Sequence, residues 1–316
     1  MQVNCYFCGQ PNQLEEYFCS NCRRSLIPSS EYDLRIEDFA YGPDVDGLRT
    51  LKALAPLTVF LKDSIIKEIE RSLLKQASTL LDAEKYPRLR RLIRECARLL
   101  CLKRLPKVFV RPSNVLNAFT FGTDERAAVV INSLALKVLT DEELKALISH
   151  ELAHVKSEHV LYHTIAEYLA GGVTLSASIL GFAQVAAPIR LALLSWYRNS
   201  EVTADRASLL VVNDLNVIKS FFAKLLFFSG NLKKKADLSE SGMLDSLLEL
   251  LRTHPLYKNR VKRITEFYNS RRFIAVRRKI DLRERRLTAL SPRCRFCGAK
   301  KPVTAVFCPE CGRCQI

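Results

Sequence analysis

The cysteines of this chain are gathered at its two ends, and their spacing limits what those ends can fold into. Near each end stand two Cys-x-x-Cys pairs, separated by ten residues in both cases. Such spacing lets two tight turns present four thiolates tetrahedrally, which is typical of a closed structural zinc site. The predicted ligands are Cys5, Cys8, Cys19 and Cys22 at the start and Cys294, Cys297, Cys308 and Cys311 at the end.

Disulfide bonds are the alternative use of these cysteines. Residues 1–12 have neither the basic start nor the apolar run of a secretory signal peptide. We therefore expect the chain to stay in a reducing cytoplasm, where metal ligation is favoured. Three of the four pairs are followed directly by a glycine, namely Gly9, Gly298 and Gly312, where a turn with positive φ would direct backbone amides towards the sulfurs. Cys314 is left over as a spare ligand or a free thiol.

The composition divides the chain into four parts. Segments of about 25 residues cannot bury a core unaided, so zinc would supply the folding energy of both ends. The middle is long enough for one sizeable domain, since 48% of the 316 residues are hydrophobic. The predicted parts are an N-terminal zinc ribbon at 1–27, a polar linker at 28–47, the main domain at 48–287 and a C-terminal zinc ribbon at 288–316.

Hydrophobic periodicity in the main domain predicts an α+β fold that is mainly α-helical. Apolar residues recur at helical spacing from Leu48 to Leu105, which indicates two or three amphipathic helices. Three short β-forming runs follow at 107–110, 117–121 and 127–131. We expect these runs to form a small β-sheet beside the helices.

The motif His150-Glu151-Leu152-Ala153-His154 is the strongest candidate for a catalytic centre. Thr140 and the three acidic residues after it form an N-cap and an acidic first turn, and the apolar pattern continues as a helix through the motif. At about 3.6 residues per turn, positions four apart lie on one face, so both imidazoles can face a single ion. Glu151 lies beside them, where it can take a proton from an attacking water and return it to the leaving amine.

The alternative is an accidental polar stripe on a surface helix. The flanking helix is hydrophobic enough to be buried, and two buried histidines beside a carboxylate need a partner such as a metal. If the same helix continues, His159 and His163 lie about 180° and 220° around its axis from His150. We therefore expect them at the surface or the edge of the core, away from the ion.

A catalytic zinc needs a third protein ligand and an open position. The best candidate is Glu201, in a segment whose apolar periodicity through Leu210 predicts another helix. Asp205 lies one turn further along the same face, where its carboxylate can orient a zinc-bound imidazole. The alternative is that both carboxylates face solvent and pair with Arg198 or Arg206.

Four motifs in this order resemble the motif set of one enzyme family. They are Asn117–Gly122, Asp141–Leu144 running into the 150–154 motif, Glu201–Ala207, and Thr253-His254-Pro255 followed by Arg260. On these residues the chain resembles the HtpX-like zinc metallopeptidases of the gluzincin type, the group that includes the CAAX prenyl proteases. The resemblance covers roughly residues 45–270 and implies a zincin-like metallopeptidase core.

The resemblance also implies a role for each site residue. His150, His154 and Glu201 would be ligands of a catalytic zinc, with Glu151 as general base and acid and Asp205 supporting a ligand. A second set would line the cleft. Asn117, Ala118 and Phe119 would lie on an edge strand that holds an extended substrate, and His254 or Arg260 would steady the oxyanion or cover the metal, although each could instead be a helix cap or a structural pair.

The chain departs from this family in its apolar segments. HtpX-like enzymes usually carry strong transmembrane helices before the catalytic helix, and here the only long uncharged run is Tyr168–Ile189. A single crossing would place His154 and Glu201 on opposite sides of the membrane, and two crossings need about 40 apolar residues. We favour a pair of buried helices for this run. The alternative is a hairpin that dips into one leaflet of the membrane.

Much of the net charge of +16 lies in residues 258–286, which hold twelve Lys or Arg and three acidic residues. Such a segment fits a solvated helix surface as well as a contact with phospholipid headgroups, nucleic acid or acidic proteins. Peripheral contact with the cytoplasmic face of a membrane therefore stays open.

The sequence predicts a zinc metalloendopeptidase with one catalytic and two structural zinc ions, acting on unfolded or membrane-associated polypeptides. The zinc ribbons would bind substrate, a protein adaptor or nucleic acid, or would pack on the main domain and gate its cleft. The alternative function is a zinc-ribbon binding or scaffold protein, for protein or nucleic acid, whose peptidase-like core is not catalytic. A scaffold has no chemical need for Glu151, which favours the enzyme.

Overall fold

The computed structural model describes most of the main domain and parts of both cysteine modules. The described residues are 2–13, 16–26, 32–53, 81–123, 126–170, 183–236, 255–289, 293–294, 297–299, 308 and 310–313. The strands among them are β1 (Gln2–Asn4), β2 (Pro11–Gln13), β3 (Leu81–Asp82), β4 (Lys107–Arg111), β5 (Ala118–Gly122) and β6 (Ala127–Asn132). The helices are α1 (Gly42–Ala53), α2 (Pro87–Leu99), α3 (Ser133–Val138), α4 (Asp141–Lys156), α5 (Val160–Ala170), α6 (Ala183–Val212), α7 (Leu215–Ala236), α8 (Pro255–Tyr268) and α9 (Arg271–Ala289).

The predicted fold class is confirmed: the domain is mainly α-helical and carries one small sheet. The sheet has the strand order β3-β4-β6-β5. β4 and β6 run parallel, whereas β5 pairs with β6 in antiparallel orientation, with Phe119 opposite Val130. β5 thus forms one edge of the sheet, and α4 packs against it.

The two ends of α4 are set by local sequence signals. At the start, the hydroxyl of Thr140 accepts from the backbone N–H of Glu143, while the Glu143 carboxylate accepts from the N–H of Thr140 at 2.9 Å. This reciprocal capping box satisfies amides that would otherwise lack helical partners. At the other end, Glu158 takes the left-handed conformation with φ of 57°, and the chain starts the separate helix α5 at Val160.

The break at Glu158 corrects the expectation for two histidines. His159 and His163 do not continue the helical wheel of α4, because that helix ends at Lys156. Both are buried, with 1% and 5% exposed, and neither lies at the surface. The turn brings them next to His154 instead.

α4 and α6 form the centre of the main domain, and α2, α7 and α8 pack around them. Leu144, Ile148 and Leu152 repeat every four residues along α4 and are almost completely buried. Burying each such side chain contributes about 1.5–3 kcal/mol. The hydrophobic face of α4 is thereby fixed in the core, and its motif residues are fixed with it.

The N-terminal cysteine module is packed against the main domain. The N–H of Ser25 donates to the carbonyl of Lys103 at 3.0 Å, and the guanidinium of Arg23 donates to the carbonyl of Pro106 at 2.7 Å. Phe18 is part of the main hydrophobic core, and Arg94 of α2 forms an ion pair with Glu16. The module is therefore held on the domain by backbone bonds, charge and burial together.

The polar stretch predicted as a linker also contacts the domain over its second half. Leu34 and Phe39 are buried in the main core, and α1 begins within the stretch at Gly42. α1 then packs along α6. The proposed division into four parts remains a prediction, but residues 32–47 pack against the main domain.

No helix of the described residues combines the length and the apolar character that crossing a bilayer requires. The uncharged run Tyr168–Ile189 falls partly outside the described residues, at 171–182.

Candidate active site

Three side chains from two helices converge at the centre of the main domain. The Nε2 atoms of His150 and His154 are 3.3 Å apart. Nε2 of His150 lies 3.4 Å from Oε2 of Glu201, and Nε2 of His154 lies 3.4 Å from Oε1 of the same carboxylate. The histidines come from α4 and the carboxylate comes from α6, so the packing of these two helices assembles the group. The structure thus brings together the three residues that the sequence suggested as ligands.

The spacing of these atoms fits a tetrahedral metal ion. Ligands at about 2.05 Å from one zinc ion are separated by about 3.3 Å from each other in that geometry. Two imidazoles and a carboxylate are also a donor set that zinc accepts. The histidines are buried while 17% of the Glu201 side chain is exposed, so the group meets solvent on the Glu201 side, where a fourth position would lie.

A carboxylate stands behind His150. Oδ1 of Asp205 lies 3.0 Å from Nδ1 of His150, and Asp205 is buried. Arg260 of α8 binds both oxygens of Asp205, at 2.6 and 2.7 Å, and reaches Glu201 at 2.9 Å. This planar guanidinium holds two carboxylates of α6 at once, a geometry that a lysine cannot reproduce. Among the described residues, it is therefore Arg260 that pairs with both carboxylates, whereas Arg206, a partner considered from sequence along with Arg198, donates to the carbonyl of Ala40.

The electrostatics of this cluster favour a cation. Burial alone would raise the pKa of Glu201, but Arg260 and His150 outweigh it and hold that pKa well below the ordinary value. Burial alone would likewise lower the pKa of His150, yet Glu201 and Asp205 raise it. The same carboxylates that attract a proton to His150 would attract a divalent ion.

Glu151 is buried beside the ligand group and faces the sheet. Its Oε2 accepts a hydrogen bond of 2.6 Å from the hydroxyl of Thr120, which belongs to β5. Because Thr120 is on the edge strand, the carboxylate and that strand are fixed relative to each other. Sequence inspection did not single out Thr120, and a lone threonine in a strand gives no signal of such a contact.

His154 has a second histidine behind it. Nδ1 of His154 lies 3.2 Å from Nδ1 of His159, and Nε2 of His159 lies 3.1 Å from Oδ2 of Asp44 on α1. His163 lies against the same group and contacts the hydroxyl of Ser200 at 2.6 Å. Burial lowers the pKa of His159 and lowers that of His163 well below its ordinary value.

The predicted substrate-binding residues lie at the start of the edge strand. Ala118 and Phe119 belong to β5, and Asn117 precedes it and accepts a backbone hydrogen bond from Asn132. Phe119 is partly buried, with the guanidinium of Arg111 5.0 Å from its ring centroid. His254 lies outside the described residues.

The cysteine clusters have the geometry of four-thiolate sites. In the N-terminal cluster the Sγ atoms of Cys5 and Cys22, and those of Cys8 and Cys19, are 3.6 Å apart. The C-terminal cluster gives 3.6 and 3.7 Å for the corresponding pairs. These separations are far longer than the disulfide bond length of about 2.05 Å and close to the ligand separation of about 3.8 Å around a tetrahedral zinc with thiolates.

The turns of these clusters repeat one backbone conformation. The three glycines predicted to have positive φ do so, with values of 69–73°. In the fourth turn Arg23 takes the same conformation, with φ of 62°. In every turn the N–H of this residue donates to the carbonyl of the first cysteine, at 2.9–3.1 Å. Cys314 lies outside the described residues.

Comparison with known proteins identifies the family of this chain. The model of peptidase family M48 matches residues 83–267. The chain belongs to peptidase family M48. The match contains α4, α6 and Arg260, and it leaves out both cysteine modules and α1.

Relatives of this M48 chain carry metallopeptidase or protease names. It is 31% identical over 207 residues to the plastoglobule-localized metallopeptidase 48, chloroplastic, of Arabidopsis thaliana, covering 64% of this chain and 59% of that protein. It is 30% identical over 194 residues to a protease HtpX homolog of Desulfatibacillum aliphaticivorans, covering 51% and 63%. A protease HtpX homolog of Burkholderia multivorans is 27% identical over 223 residues, covering 61% and 78%. The chain thus spans about three fifths of the first two relatives, and the expected HtpX-like resemblance is confirmed.

Proposed function

We propose that this M48 chain is a zinc-dependent endopeptidase whose catalytic zinc is held by His150, His154 and Glu201. The observation that carries the proposal is the approach of the two Nε2 atoms to within 3.3 Å of each other and of each to within 3.4 Å of a Glu201 oxygen, next to the buried carboxylate of Glu151. When bound there, zinc would polarise the scissile carbonyl and lower the pKa of a water molecule.

Glu151 is the proposed general base and acid. Its carboxylate would take a proton from the attacking water and later deliver it to the leaving amine. The hydrogen bond from Thr120 occupies Oε2 and leaves Oε1 for this proton transfer. The hydroxyl therefore serves to aim the carboxylate.

The edge strand is the proposed substrate platform. Backbone groups of Asn117, Ala118 and Phe119 would pair with a substrate in extended conformation, which adds a strand to the sheet beside β5. Only a locally unfolded segment can offer its backbone in this way. This supports polypeptides that are unfolded, including membrane-associated ones, as the substrate class.

The contacts of Arg260 favour a supporting role. Its guanidinium is engaged by Glu201 and Asp205, so it would hold the ligand carboxylate and the carboxylate behind His150 in place. The stabiliser of the oxyanion would then be another residue, for which His254 is the remaining candidate.

The cysteine clusters are proposed as two structural zinc ribbons. On the N-terminal one, Tyr6 is 94% exposed and Phe7 is also exposed. Exposed aromatic side chains of this kind suit a protein partner, such as an adaptor or the substrate itself. Nucleic acid is the less favoured partner.

The helix α9 supports peripheral contact with the cytoplasmic face of a membrane. Ile274, Arg278 and Leu282 are spaced at intervals of four and are all exposed, so apolar and basic side chains share one face of the helix. Such a face suits the interface of an anionic bilayer. We accordingly propose a cytoplasmic protein that works at or near that surface.

The proposal is tested with Glu151→Gln in the full chain. Cleavage of casein should fall by roughly 10²–10⁴-fold because proton transfer is lost, while the zinc content stays unchanged. The matched control is Glu158→Gln, which makes the same chemical change at an exposed position of the turn after α4. It should cleave normally.

Metal analysis completes the test. We expect about three zinc ions per chain and the selective loss of one on His150→Ala. Unchanged cleavage by Glu151→Gln would contradict the mechanism. A wild-type chain that binds zinc but cleaves nothing, and instead binds protein or nucleic acid, would favour the scaffold function.

A further inference from the structure

The two proposed histidine ligands are backed differently. Asp205 lies directly behind His150, whereas the residue behind His154 is another imidazole, that of His159. Beyond His159 comes the carboxylate of Asp44, at 3.1 Å from Nε2. Each ligand is thus backed by a buried carboxylate, with one extra imidazole in the second case.

The contacts continue past Asp44 to the backbone. Its Oδ2 also accepts a hydrogen bond of 2.6 Å from the hydroxyl of Thr203, and that hydroxyl accepts one of 3.0 Å from the N–H of Tyr41. A line of polar contacts therefore runs from His154 through His159, Asp44 and Thr203 to the start of α1. All four side chains are buried, with 3% exposure or less.

This line defines the proton positions on both rings. A buried carboxylate facing Nε2 of His159 favours a proton on that nitrogen, and a neutral imidazole then offers Nδ1 as an acceptor. Nδ1 of His154 lies 3.2 Å from that acceptor and, among the described residues, is the ring atom placed to donate to it. His154 then keeps its lone pair on Nε2, the atom that faces Nε2 of His150 and Oε1 of Glu201.

We propose that His159 and Asp44 are positioning residues for His154, forming a relay that fixes the tautomer and orientation of this metal ligand. The inference rests on the proposed zinc site. In this arrangement α1, which lies outside the M48 match at 83–267, supplies the carboxylate of Asp44 behind the metal ligand. Partners of this kind orient metal-bound imidazoles and raise their basicity.

A second metal ion is the competing use of these histidines. His154, His159 and His163 offer ring nitrogens that all lie within 4.8 Å of one another. Both nitrogens of His159 already have partners in the line described, and Nε2 of His163 contacts Ser200 at 2.6 Å. The relay leaves every one of these contacts in place, whereas a second metal would displace some of them.

The test measures zinc affinity and does not depend on activity. Full-length variants are made in a Glu151→Gln background, which prevents self-digestion, and zinc is titrated against a chelator of known affinity. A matched His150→Ala protein, which should bind zinc only at the cysteine clusters, is titrated in the same way. Its zinc binding is subtracted from that of each variant. Asp44→Ala should weaken the His150–His154–Glu201 site by roughly 10–100-fold.

Graded substitutions separate positioning from folding. Asp44→Asn keeps the size and one acceptor oxygen, so its loss should be smaller than that of Asp44→Ala. His159→Gln keeps an acceptor and should retain more affinity than His159→Leu. Because Asp44→Asn preserves the packing, it serves as the test if Asp44→Ala does not fold.

Two control variants lie on the same helix as Asp44. Asp46→Asn makes the same chemical change at an exposed position of α1 and should bind zinc normally. Leu51→Ala removes a buried side chain of α1 that packs near Trp196, so it should lower the melting temperature and leave the zinc affinity of the folded protein unchanged.

The possible failures are distinct. Normal zinc affinity in Asp44→Ala and His159→Leu, or an equal loss in Leu51→Ala, would overturn the relay and leave the proposed function standing. An additional zinc ion that is lost on His163→Ala would replace the relay by a second metal site. A chain that loses no zinc on His150→Ala would overturn the proposed function and the relay together.

Discussion

The hydroxyl of Thr120 donates a hydrogen bond of 2.6 Å to Oε2 of Glu151, which ties the proposed base to the edge strand. The same hydroxyl lies 3.3 Å from the backbone carbonyl of Glu151. Thr120 follows directly on Asn117, Ala118 and Phe119, the residues expected to hold substrate. The strand would therefore present the scissile bond and aim the base in one rigid arrangement.

Replacing Thr120 by Val should lower kcat/KM by roughly 10–100-fold, because small displacements of a catalytic group are costly. The shape of the side chain is nearly unchanged, so zinc content and melting temperature should stay close to those of the wild type. Thr120→Ser restores the hydroxyl and should restore most of the activity. Steady-state kinetics on a peptide substrate check this, and equal activity of the Val and Ser variants would show that the hydrogen bond has no role in catalysis.

The parts of the site that lie on one helix follow from sequence. Positions 150, 151 and 154 have their relative placement dictated by α-helix geometry, and the capping box that starts this helix is visible in the sequence from Thr140 to Glu143. The position of Glu201 could not be predicted in this way, because it lies on another helix and no local sequence signal fixes where that helix packs relative to α4. Its assignment came from the order of motifs, and helix packing then placed it 3.4 Å from both histidines.

The parts that sequence missed depend on a turn without a sequence signal. Glu158 occupies the left-handed region, where glycine or asparagine is the usual residue, so the end of α4 was not predicted. His159 was consequently placed on the wrong side of the helix. Asp44 is far away in sequence and lies in a stretch expected to be a linker, so only tertiary packing reveals that it faces His159.

Arg260→Gln should destabilise the protein most when the His150–His154–Glu201 site is empty of zinc. Without the guanidinium, Glu201 and Asp205 lose a buried positive partner, and breaking such a pair costs about 3 kcal/mol or more. A bound dication replaces part of that charge, so excess zinc should recover part of the loss. Urea unfolding of the wild type and of Arg260→Gln, each with and without added zinc, measures how far zinc reduces the loss. Zinc at the cysteine clusters stabilises both proteins equally and therefore cancels from this comparison.

Lys262→Gln is the control for Arg260, since it removes one positive charge from an exposed position of the same helix. It should change the free energy of unfolding little. Equal losses for Arg260→Gln in the presence and absence of zinc would mean that the guanidinium acts only in packing.

Glu143→Gln should have an effect on stability that depends on pH. Burial alone would raise the pKa of Glu143, but Lys224, the N–H of Thr140 and the hydroxyl of Ser220 hold it below the ordinary value. A lowered pKa in the folded state gives stability that is present above the unfolded pKa, about 4.3, and is lost as the pH falls through the folded value. The substitution should cost about 2 kcal/mol at pH 7, and the cost should shrink as the pH falls below about 4.

Urea unfolding of both proteins at matched pH values checks this. Glu142→Gln changes the adjacent residue, which is exposed and pairs with Lys145, so its cost should be small throughout. A cost of Glu143→Gln that does not shrink as the pH is lowered well below about 4 would show that the charge of the carboxylate does not contribute.

Each cysteine cluster should lose one zinc ion when one of its thiolates is removed. Cys19→Ser and Cys308→Ser leave three ligands in a site whose four sulfur atoms lie within 4.8 Å of one another. Because metal binding supplies the folding energy of such small modules, the affected end should also become sensitive to protease. Metal analysis combined with limited proteolysis measures both effects.

Cys96→Ala is the matched control, since this buried cysteine belongs to neither cluster, and it should keep every zinc ion. Full zinc content in Cys19→Ser or Cys308→Ser would exclude the four-thiolate site at that end.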